Sequence, residues 1–190
     1  MTEKIKGKLH YSSSPDRGLD NILYLLPWIQ ERVDYKIHVD VYYGFNNLEQ
    51  ANPTLAKSLH DLIKVSGEDS VNFKGRISQV ELAQAWKKAY VWFYPTAFWE
   101  TYCITAKEAQ LSSTPIICSN EGALQATVGN AGIRIDGHPY SRESRLKYVD
   151  EMTKILTDDE YWNHWSAKSL EGSKNCSWSS VYNTYWKNLL

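Results

Sequence analysis

The sequence predicts an α/β protein whose sheet is doubly wound and mostly parallel, with helices on both faces. Short segments rich in β-branched and aromatic residues alternate along the chain with longer segments in which apolar residues recur at helical spacing. This βαβα order is typical of parallel sheets, since parallel neighbours need a crossover connection. The length of 190 residues fits one domain. No repeat or linker divides the chain, so we expect a single domain over residues 1–190.

Six segments are predicted as strands because they are short, rich in strand-forming residues and bounded by turn residues. They comprise residues 6–11, 35–45, 71–73, 91–94, 115–118 and 132–135. Gly75 follows the third segment and Pro95 ends the fourth. The loops that follow these segments are therefore the connections to examine for a site.

Helices are predicted where apolar residues recur at helical spacing and where a start signal is present. They comprise residues 19–33, 55–65, a helix beginning at 78, 101–111, 122–128, 141–156, 159–173 and 177–190. Residues 46–53 are predicted as a polar connection. Thr157 and Glu160 have the spacing of a capping box, which predicts the start of the helix over 159–173.

The helix that begins near residue 78 carries the second capping-box pattern, formed by Ser78 and Glu81. Its apolar residues predict a buried stripe of Val80, Ala83 and Trp86. This helix follows the third predicted strand, so its start lies at the same edge of the sheet as the other strand ends.

The region from about 141 to 190 is predicted to be helical and is rich in tryptophan. Trp162, Trp165, Trp178 and Trp186 lie in its last part. These side chains either anchor the terminal helices to the body of the protein or form a docking surface for another domain or chain.

Composition excludes several classes of protein. The net charge of −1 argues against nucleic acid as a partner, because phosphate neutralisation needs a surplus of Lys and Arg. The three cysteines have no C-x-x-C spacing, which argues against a disulfide framework or a structural zinc site and favours a reducing compartment. We find no transmembrane or signal segment. We therefore expect a soluble, cytoplasmic protein.

The candidate site lies at the carboxyl ends of the strands, where ligands bind in open α/β sheets. The loops there are residues 12–18, 75–78, 95–103 and 119–123. Dinucleotide-binding, P-loop, serine hydrolase and zinc protease motifs are missing from the sequence. The five histidines are scattered, and no D-x-D triplet points to a metal-held diphosphate.

Two glutamates mark the most informative stretch of the chain. Glu100 follows the strand over 91–94, and Glu108 lies in the helix over 101–111. Both carboxylates are expected to face one crevice, where each suits the vicinal hydroxyls of a sugar or a ribose. The free N–H groups at 102–104 suit a phosphate between them. Glutamates near a helix start are also common for dipole reasons alone.

This stretch resembles the nucleotide-sugar-binding half of family 4 of the retaining GT-B glycosyltransferases. The resemblance rests on Glu100-x7-Glu108 and on four further segments in the same order. These are Ser13-Ser14-Pro15-Asp16-Arg17-Gly18-Leu19, Phe73-Lys74-Gly75-Arg76-Ile77-Ser78, Asn120-Glu121-Gly122-Ala123-Leu124, and Ser177-Trp178 with Trp186. The resemblance spans nearly the whole chain and implies a Rossmann-like domain that forms one half of a GT-B architecture.

The resemblance implies which residues contact the sugar and the ribose of the donor. Glu100 matches the glutamate that contacts hydroxyls of the donor sugar. Thr101, Tyr102 and Cys103 match the backbone stretch beside that sugar. Glu108 matches the glutamate that holds the ribose.

The resemblance also implies which residues border the diphosphate and the nucleobase of the donor. Arg17 matches the basic residue of the first loop, and we expect Arg17, Gly18 and Ile104 to border the diphosphate. A planar, permanently charged guanidinium beside a helix start suits a leaving pyrophosphate. Arg76 and Ile77 match the turn that borders the nucleobase.

The sequence departs from the family pattern at two positions near this site. The family usually has a second basic residue at the end of the first strand, where this chain has Tyr11-Ser12-Ser13. Lys107 or Arg76 are candidates to replace it. Cys103 stands where the family often has glycine, which leaves the backbone less freedom to approach a ligand.

The resemblance implies a retaining glycosyltransferase, or its donor-binding domain, with a nucleoside-diphosphate sugar as donor. The acceptor is an unknown glycan, lipid or protein, and no metal or other cofactor is expected. Family members place an acceptor half before this half, so we expect an acceptor-binding domain from another chain or a longer parent protein. Two alternatives remain: a non-catalytic nucleotide-sugar-binding subunit, and a nucleotide-sugar epimerase or hydrolase on the same scaffold.

Overall fold

A six-stranded parallel sheet forms the centre of the part of the chain that the computed structural model describes, residues 3–174, 176–181, 183 and 187. The strands are β1 (Lys8–Tyr11), β2 (His38–Val41), β3 (Val71–Phe73), β4 (Val91–Tyr94), β5 (Ile116–Ser119) and β6 (Ile133–Ile135). Their order across the sheet is β3-β2-β1-β4-β5-β6, and all five neighbouring pairs are parallel. The predicted doubly wound, Rossmann-like sheet is confirmed.

Helices connect the strands and cover the sheet. They are α1 (Leu19–Gln30), α2 (Asn46–Ala51), α3 (Pro53–Ser66), α4 (Gln79–Lys88), α5 (Ile104–Leu111), α6 (Leu124–Val128), α7 (Arg142–Thr157), α8 (Asp159–Gly172) and α9 (Trp178–Val181). Short 3-10 turns over Glu68–Ser70 and Gly129–Ala131 precede β3 and β6. In the described ranges, no helix is both long and apolar enough to cross a membrane.

The hydrophobic core follows the central strands. All four residues of β1, of β4 and of β5 are buried. Trp92, Phe93 and Tyr94 are fully buried in β4, as expected for a strand covered by helices on both faces. The core continues into α1 and α7, which pack on each other.

The second strand and the connection after it differ from the prediction. β2 begins at His38 rather than at 35 because Gln30 binds the preceding segment: its side chain donates to the Tyr35 carbonyl and accepts from the Ile37 N–H. Residues 46–51, predicted as a loop, form α2, which buries Leu48 against α3. The polar composition of this segment concealed its one buried apolar residue.

The start of α4 is confirmed, and its predicted buried stripe is wrong. Ser78 and Glu81 form the capping box, with both reciprocal hydrogen bonds present. Trp86 is buried, but Val80 is 73% exposed and Ala83 is exposed too. The helix packs on the protein through the face that carries Trp86, so the buried stripe was predicted on the wrong face of the helix.

The capping box predicted from Thr157 and Glu160 is wrong. Asp158 is the N-cap of α8, and its carboxylate accepts from the Tyr161 N–H. Thr157 is instead the last residue of α7, where its hydroxyl donates to the Thr153 carbonyl. An aspartate one residue further along supplied the same function as the expected threonine.

The C-terminal tryptophans serve as anchors where they are described. Trp162 Nε1 donates to the Tyr90 carbonyl at 3.0 Å, and the two rings stack 5.0 Å apart. Trp165 packs on the core from the same helix. The Trp178 side chain, Trp186 and most of the helix expected over 177–190 lie outside the described residues, although α9 does begin at Trp178.

An ion pair is buried between β1 and β2. Lys8 Nζ lies 2.6 Å from Asp40 Oδ2, and Asp40 is 2% exposed. The Asp40 carboxylate also accepts hydrogen bonds from Tyr42 and Asn72. Burial raises the pKa of Asp40, but the hydrogen bonds from Lys8, Asn72 and Tyr42 and the charge of Lys8 outweigh it and hold the pKa below the ordinary value of 3.8.

Asp40→Asn is expected to lower the free energy of unfolding by about 3–5 kcal/mol, because Lys8 is left buried without its carboxylate. Lys8→Met combined with Asp40→Leu is expected to recover part of this loss. Because the folded pKa is depressed, the contribution of Asp40 is complete above pH 3.8 and is lost as the pH falls through the folded value. Urea unfolding from pH 7 to 3 measures both effects. A loss below about 1 kcal/mol for the single variant would contradict the role of the pair.

Gly122 allows the loop after β5 to lie against the loop after β4. Its φ is +51°, and a Cβ there would lie 2.6 Å from the Glu100 carbonyl oxygen. The next residue, Ala123, donates its N–H to that same carbonyl at 2.8 Å. The backbone of Glu100 is therefore held by a contact that only glycine permits.

Gly122→Ala is expected to destabilise the protein more than Gly75→Ala does. Gly75 has a similar φ of +66° with open space around it, so alanine there costs only backbone strain of about 1–2 kcal/mol. The clash at residue 122 adds roughly 1–3 kcal/mol. Thermal and urea unfolding of the two variants provides the comparison, and equal losses would show that the contact with Glu100 carries no weight.

Candidate functional site

A crevice of about 320 Å³ opens at the carboxyl edge of the sheet, where the strand order reverses between β1 and β4. The loops that follow β1, β2 and β4 and the start of α5 form its walls. Its lining residues are Ser12, Ser13, Ser14, Arg17, Tyr43, Glu100, Thr101, Tyr102, Cys103, Ile104 and Thr105. The crevice therefore collects most of the residues predicted for the sugar and the diphosphate.

The loop after β1 is pressed against the loop after β4. Gly18 is the N-cap of α1 with φ +98°, and a Cβ there would lie 3.0 Å from the Pro95 carbonyl oxygen. The buried amide of Asn21 donates to the same carbonyl at 3.1 Å. The Tyr11 hydroxyl donates to the Ser14 carbonyl at 2.6 Å and fixes the start of the loop. These contacts place Arg17 beside Glu100.

Glu100 is a buried carboxylate at the base of the crevice, with an exposed fraction of 6%. The Tyr94 hydroxyl donates to its Oε1 at 2.7 Å, and Arg17 Nη1 lies 3.7 Å from the same oxygen. Burial, then the bond to Glu100, raises the pKa of Tyr94 well above its ordinary value, so the phenol remains a donor. Of the two carboxylate oxygens, Oε2 has no protein partner among the described residues and is available to a hydroxyl donor.

Arg17 keeps donors that the protein does not use. Its guanidinium lies 3.9 Å from the centre of the Phe98 ring, a cation–π contact that orients the plane. Its Nε is buried and has no hydrogen-bond partner in the described part of the chain. The distance of 3.7 Å to Glu100 exceeds that of a hydrogen bond. A permanently charged group with unpaired N–H donors is suited to an anion.

The helix start at the crevice lies later than predicted. α5 begins at Ile104 rather than at 101, and its N-cap is Cys103, with φ +65° and ψ +77°. Thr127 donates its hydroxyl to the Tyr102 carbonyl, which holds the turn before the helix. The N–H groups of Ile104 and Thr105 have no acceptor among the described residues, whereas the Ala106 N–H donates to the Cys103 carbonyl at 3.1 Å. The two unpaired groups lie at the crevice end of the helix. This end attracts anions through its positive dipole.

The Cys103 thiol is not activated as a nucleophile. It is buried, and burial raises the pKa of its thiol to about 11. The thiol lies 3.2 Å from the Thr105 hydroxyl. A neutral, buried thiol is a poor nucleophile, so Cys103 contributes backbone position rather than reactivity.

Glu108 does not line the crevice with Glu100, contrary to the expectation that both carboxylates share one opening. It faces a separate hollow of about 250 Å³ between α4 and α5, lined also by Gln79, Ala83 and Trp86. Because Glu100 precedes α5 by four residues, the helix geometry does not bring the two side chains together. Burial raises the pKa of Glu108, and a hydrogen bond from Trp86 opposes that shift.

The predicted nucleobase turn lies beside the crevice rather than in it. Arg76 is exposed, and its guanidinium lies 5.3 Å from the centre of the Tyr43 ring. Tyr43 lines the crevice, so Arg76 is connected to it through one side chain. Ile77 is half-buried and is absent from the lining. Lys107 donates to Gln110 and lines a different hollow, so it does not replace the missing basic residue of β1.

Sequence reasoning missed six residues of this site as individuals. Tyr94 supports Glu100, and five others line the crevice: Ser12, Ser13, Ser14, Tyr43 and Thr105. The loop after β1 was selected as a whole, and its three serines could have been chosen as polar groups at a strand end. Tyr43 follows β2, a strand end that was not selected, and nothing in its local sequence distinguishes it from the other tyrosines.

Within the described residues, no three histidine, cysteine, aspartate or glutamate side chains come together as metal ligands. The charged groups of the crevice are Arg17 and Glu100. The arrangement supplies hydroxyl acceptors, a cation with free donors and a helix start within one opening.

Comparison with known proteins identifies the family. The family described as "Glycosyl transferases group 1" matches residues 13–171. A D-inositol 3-phosphate glycosyltransferase of Streptomyces bingchenggensis is 32% identical over 157 residues, which cover 80% of this chain and 32% of that protein. Its counterpart in Thermobifida fusca is 24% identical over 181 residues, covering 92% of this chain and 39% of that protein.

Solved structures share the fold at low identity. The Anabaena protein HepE in complex with UDP superimposes with a TM-score of 0.74 at 16% identity, covering 97% of this chain and 48% of that one. The pneumococcal O-GlcNAc transferase GtfA in complex with UDP and GlcNAc gives a TM-score of 0.77 at 16% identity, covering 98% of this chain and 36% of that one. These likenesses show the GT-B type of Rossmann-like fold.

The chain spans less than half the length of these relatives, as expected for one half of a two-part architecture. The family match covers most of the chain and includes every lining residue of the crevice except Ser12. The resemblance inferred from the sequence is thereby confirmed, and the chain belongs to the group 1 glycosyl transferases.

Proposed function

We propose that this chain binds the nucleoside-diphosphate sugar of a glycosyl transfer that retains the anomeric configuration and needs no metal. The observation that carries this proposal is the crevice at the strand reversal, in which the unpaired donors of Arg17 and the start of α5 lie beside the buried carboxylate of Glu100. A diphosphate needs the first two groups and a sugar needs the third.

Departure of the diphosphate develops negative charge, which fixed positive groups stabilise. The Arg17 guanidinium is oriented by Phe98, and the start of α5 provides N–H groups that need no reorientation. These two features would take the part that a divalent cation takes in metal-dependent enzymes. Glu100 would accept from a sugar hydroxyl and so orient the sugar over the diphosphate.

The neighbouring hollow and turn would hold the nucleoside. Glu108 is the carboxylate for the ribose, and Arg76 and Ile77 border the base. The structures of HepE in complex with UDP and with UDP-glucose support a donor of this type in the shared fold. The relatives named as inositol phosphate glycosyltransferases and as an O-antigen chain mannosyltransferase support a transferase of sugars.

The acceptor would meet the donor at the open side of the crevice. A glycan, a lipid or a protein acceptor needs a second surface to bind it and to keep water from the reacting sugar. We propose that this surface belongs to an acceptor-binding domain, in another chain or in a longer parent protein.

Calorimetry with UDP, GDP and ADP tests donor binding directly. One of the three is expected to bind, and binding is expected to persist in EDTA. Incubation of the parent protein with the corresponding nucleotide sugar and an acceptor is expected to release nucleoside diphosphate and to give a product of unchanged anomeric configuration. Sugar interconversion or free sugar would favour an epimerase or hydrolase instead.

Glu108→Ala is expected to weaken binding of the preferred nucleoside diphosphate at least tenfold, or ~1.4 kcal/mol, because the ribose loses its acceptor. Glu31→Ala removes an exposed glutamate at the end of α1, away from the crevice, and is the matched control. Calorimetry at pH 7.5 measures both variants. Equal affinity of Glu108→Ala and the wild type would contradict the ribose assignment.

Arg17→Ala is expected to weaken nucleoside-diphosphate binding more than tenfold while leaving binding of the free nucleoside within about twofold, since the lost contact is with phosphate. Arg32→Ala makes the same change of charge at an exposed residue paired with Asp150. The same loss for the nucleoside and its diphosphate would show that Arg17 shapes the crevice rather than binding the anion.

A further inference from the structure

The Trp86 indole makes a directed contact with the proposed ribose carboxylate. Its Nε1 donates to Glu108 Oε2 at 3.1 Å across the junction of α4 and α5. In the described part of the chain, this is the one hydrogen bond that the Glu108 carboxylate accepts. Its Oε1 is therefore free, in a hollow large enough to admit part of a ligand.

The indole that makes this contact is fixed on several sides. Trp86 is 3% exposed, and its ring stacks on His10 with centroids 3.6 Å apart and planes 26° apart. His10 stacks in turn on Tyr42. Burial lowers the pKa of His10 well below its ordinary value, so the stack is uncharged at neutral pH. Lys4 Nζ donates to the Trp86 carbonyl, which fixes the backbone.

A fixed donor on a half-buried carboxylate restricts the directions in which the remaining lone pairs point. A glutamate side chain has three rotatable bonds, and freezing them on ligand binding costs conformational entropy. The hydrogen bond from the Trp86 N–H restricts these bonds before the ligand binds, and it occupies one acceptor site of Oε2. The remaining acceptor sites then match one arrangement of two hydroxyl groups better than others.

We propose that Trp86 is a positioning residue, which holds Glu108 so that its carboxylate recognises the vicinal hydroxyls of a ribose and discriminates against a deoxyribose. This inference rests on the proposed function, in which Glu108 binds the ribose. It adds a residue from α4 to that role, and it explains why a tryptophan with a directed N–H stands at a position that packing alone would fill with any large apolar side chain.

Trp86→Phe tests the proposal because phenylalanine keeps an aromatic ring on His10 and removes the N–H. The probes are UDP and 2′-deoxy-UDP, or the corresponding guanosine pair where GDP is the diphosphate that binds. The preference for the ribose form is expected to fall at least threefold, while affinity for the deoxy form stays within twofold. Trp165→Phe is the matched control, since its indole nitrogen has no partner in the described residues.

The outcomes separate the two proposals. If Glu108→Ala leaves affinity unchanged, the ribose assignment fails and the role of Trp86 fails with it. If Glu108→Ala weakens binding but Trp86→Phe leaves the ribose preference unchanged, the role of Trp86 alone is overturned.

Nitrogen-15 NMR of the wild-type chain tests the contact without relying on a folded Trp86 variant. The Trp86 indole resonance is expected to shift in Glu108→Gln, because the acceptor changes from a charged carboxylate to a neutral amide. In the wild type it is expected to stay near its unliganded position as UDP or GDP is added. Movement towards its position in Glu108→Ala would mean that the bond breaks on binding, which would overturn the proposal.

Discussion

The reversal of strand order between β1 and β4 is the constraint on which the candidate site depends. The chain fills the sheet outwards from β1 on one side and outwards from β4 on the other, so the loops after these two strands diverge and leave an opening. Gly18 lets the first loop approach the second, and Asn21 binds the same carbonyl of Pro95. In a sheet wound in one direction, β1 and β4 would not be neighbours, and the loops that carry Arg17 and Glu100 would lie apart.

The sequence was sufficient to predict the sheet, because strand identity is a local property here. β4 is a short apolar run ended by Pro95, and Ser78 with Glu81 announces α4 through a local hydrogen-bond pattern. The predictions were wrong where tertiary contacts determine the local structure. Whether residues 46–51 form a helix depends on Leu48 finding a buried place against α3, and the buried face of α4 depends on how Trp86 meets α5.

The site was predictable to the extent that it follows from the ends of strands. Glu100 and Arg17 fall in loops after β4 and β1, and neighbouring parallel strands bring such loops together. The position of Glu108 depends instead on where α5 begins, which the left-handed conformation of Cys103 determines. Cysteine itself does not signal a left-handed conformation, which is usual for glycine and rare for other residues. The glycine that the family often has at position 103 was the indication available, and it was used only to judge how closely the backbone can approach a ligand. With the helix starting at Ile104, Glu108 faces the hollow against α4, and Glu100 stays in the loop before the helix.

The distance between Arg17 and Glu100 bears on why the crevice suits a ligand better than an internal ion pair. A paired arginine and carboxylate in a hydrogen-bonded fork would satisfy each other and leave little for a third group. Here the guanidinium is held by Phe98 at 3.7 Å from the carboxylate, and Glu100 takes its hydrogen bond from Tyr94. A neutral aromatic side chain thus stabilises each charge, and each charged group keeps hydrogen-bonding atoms that can bind a ligand in the opening. The two opposite charges lie close to each other but are not hydrogen-bonded to each other. The crevice can therefore accept a molecule that carries both an anion and hydroxyl groups.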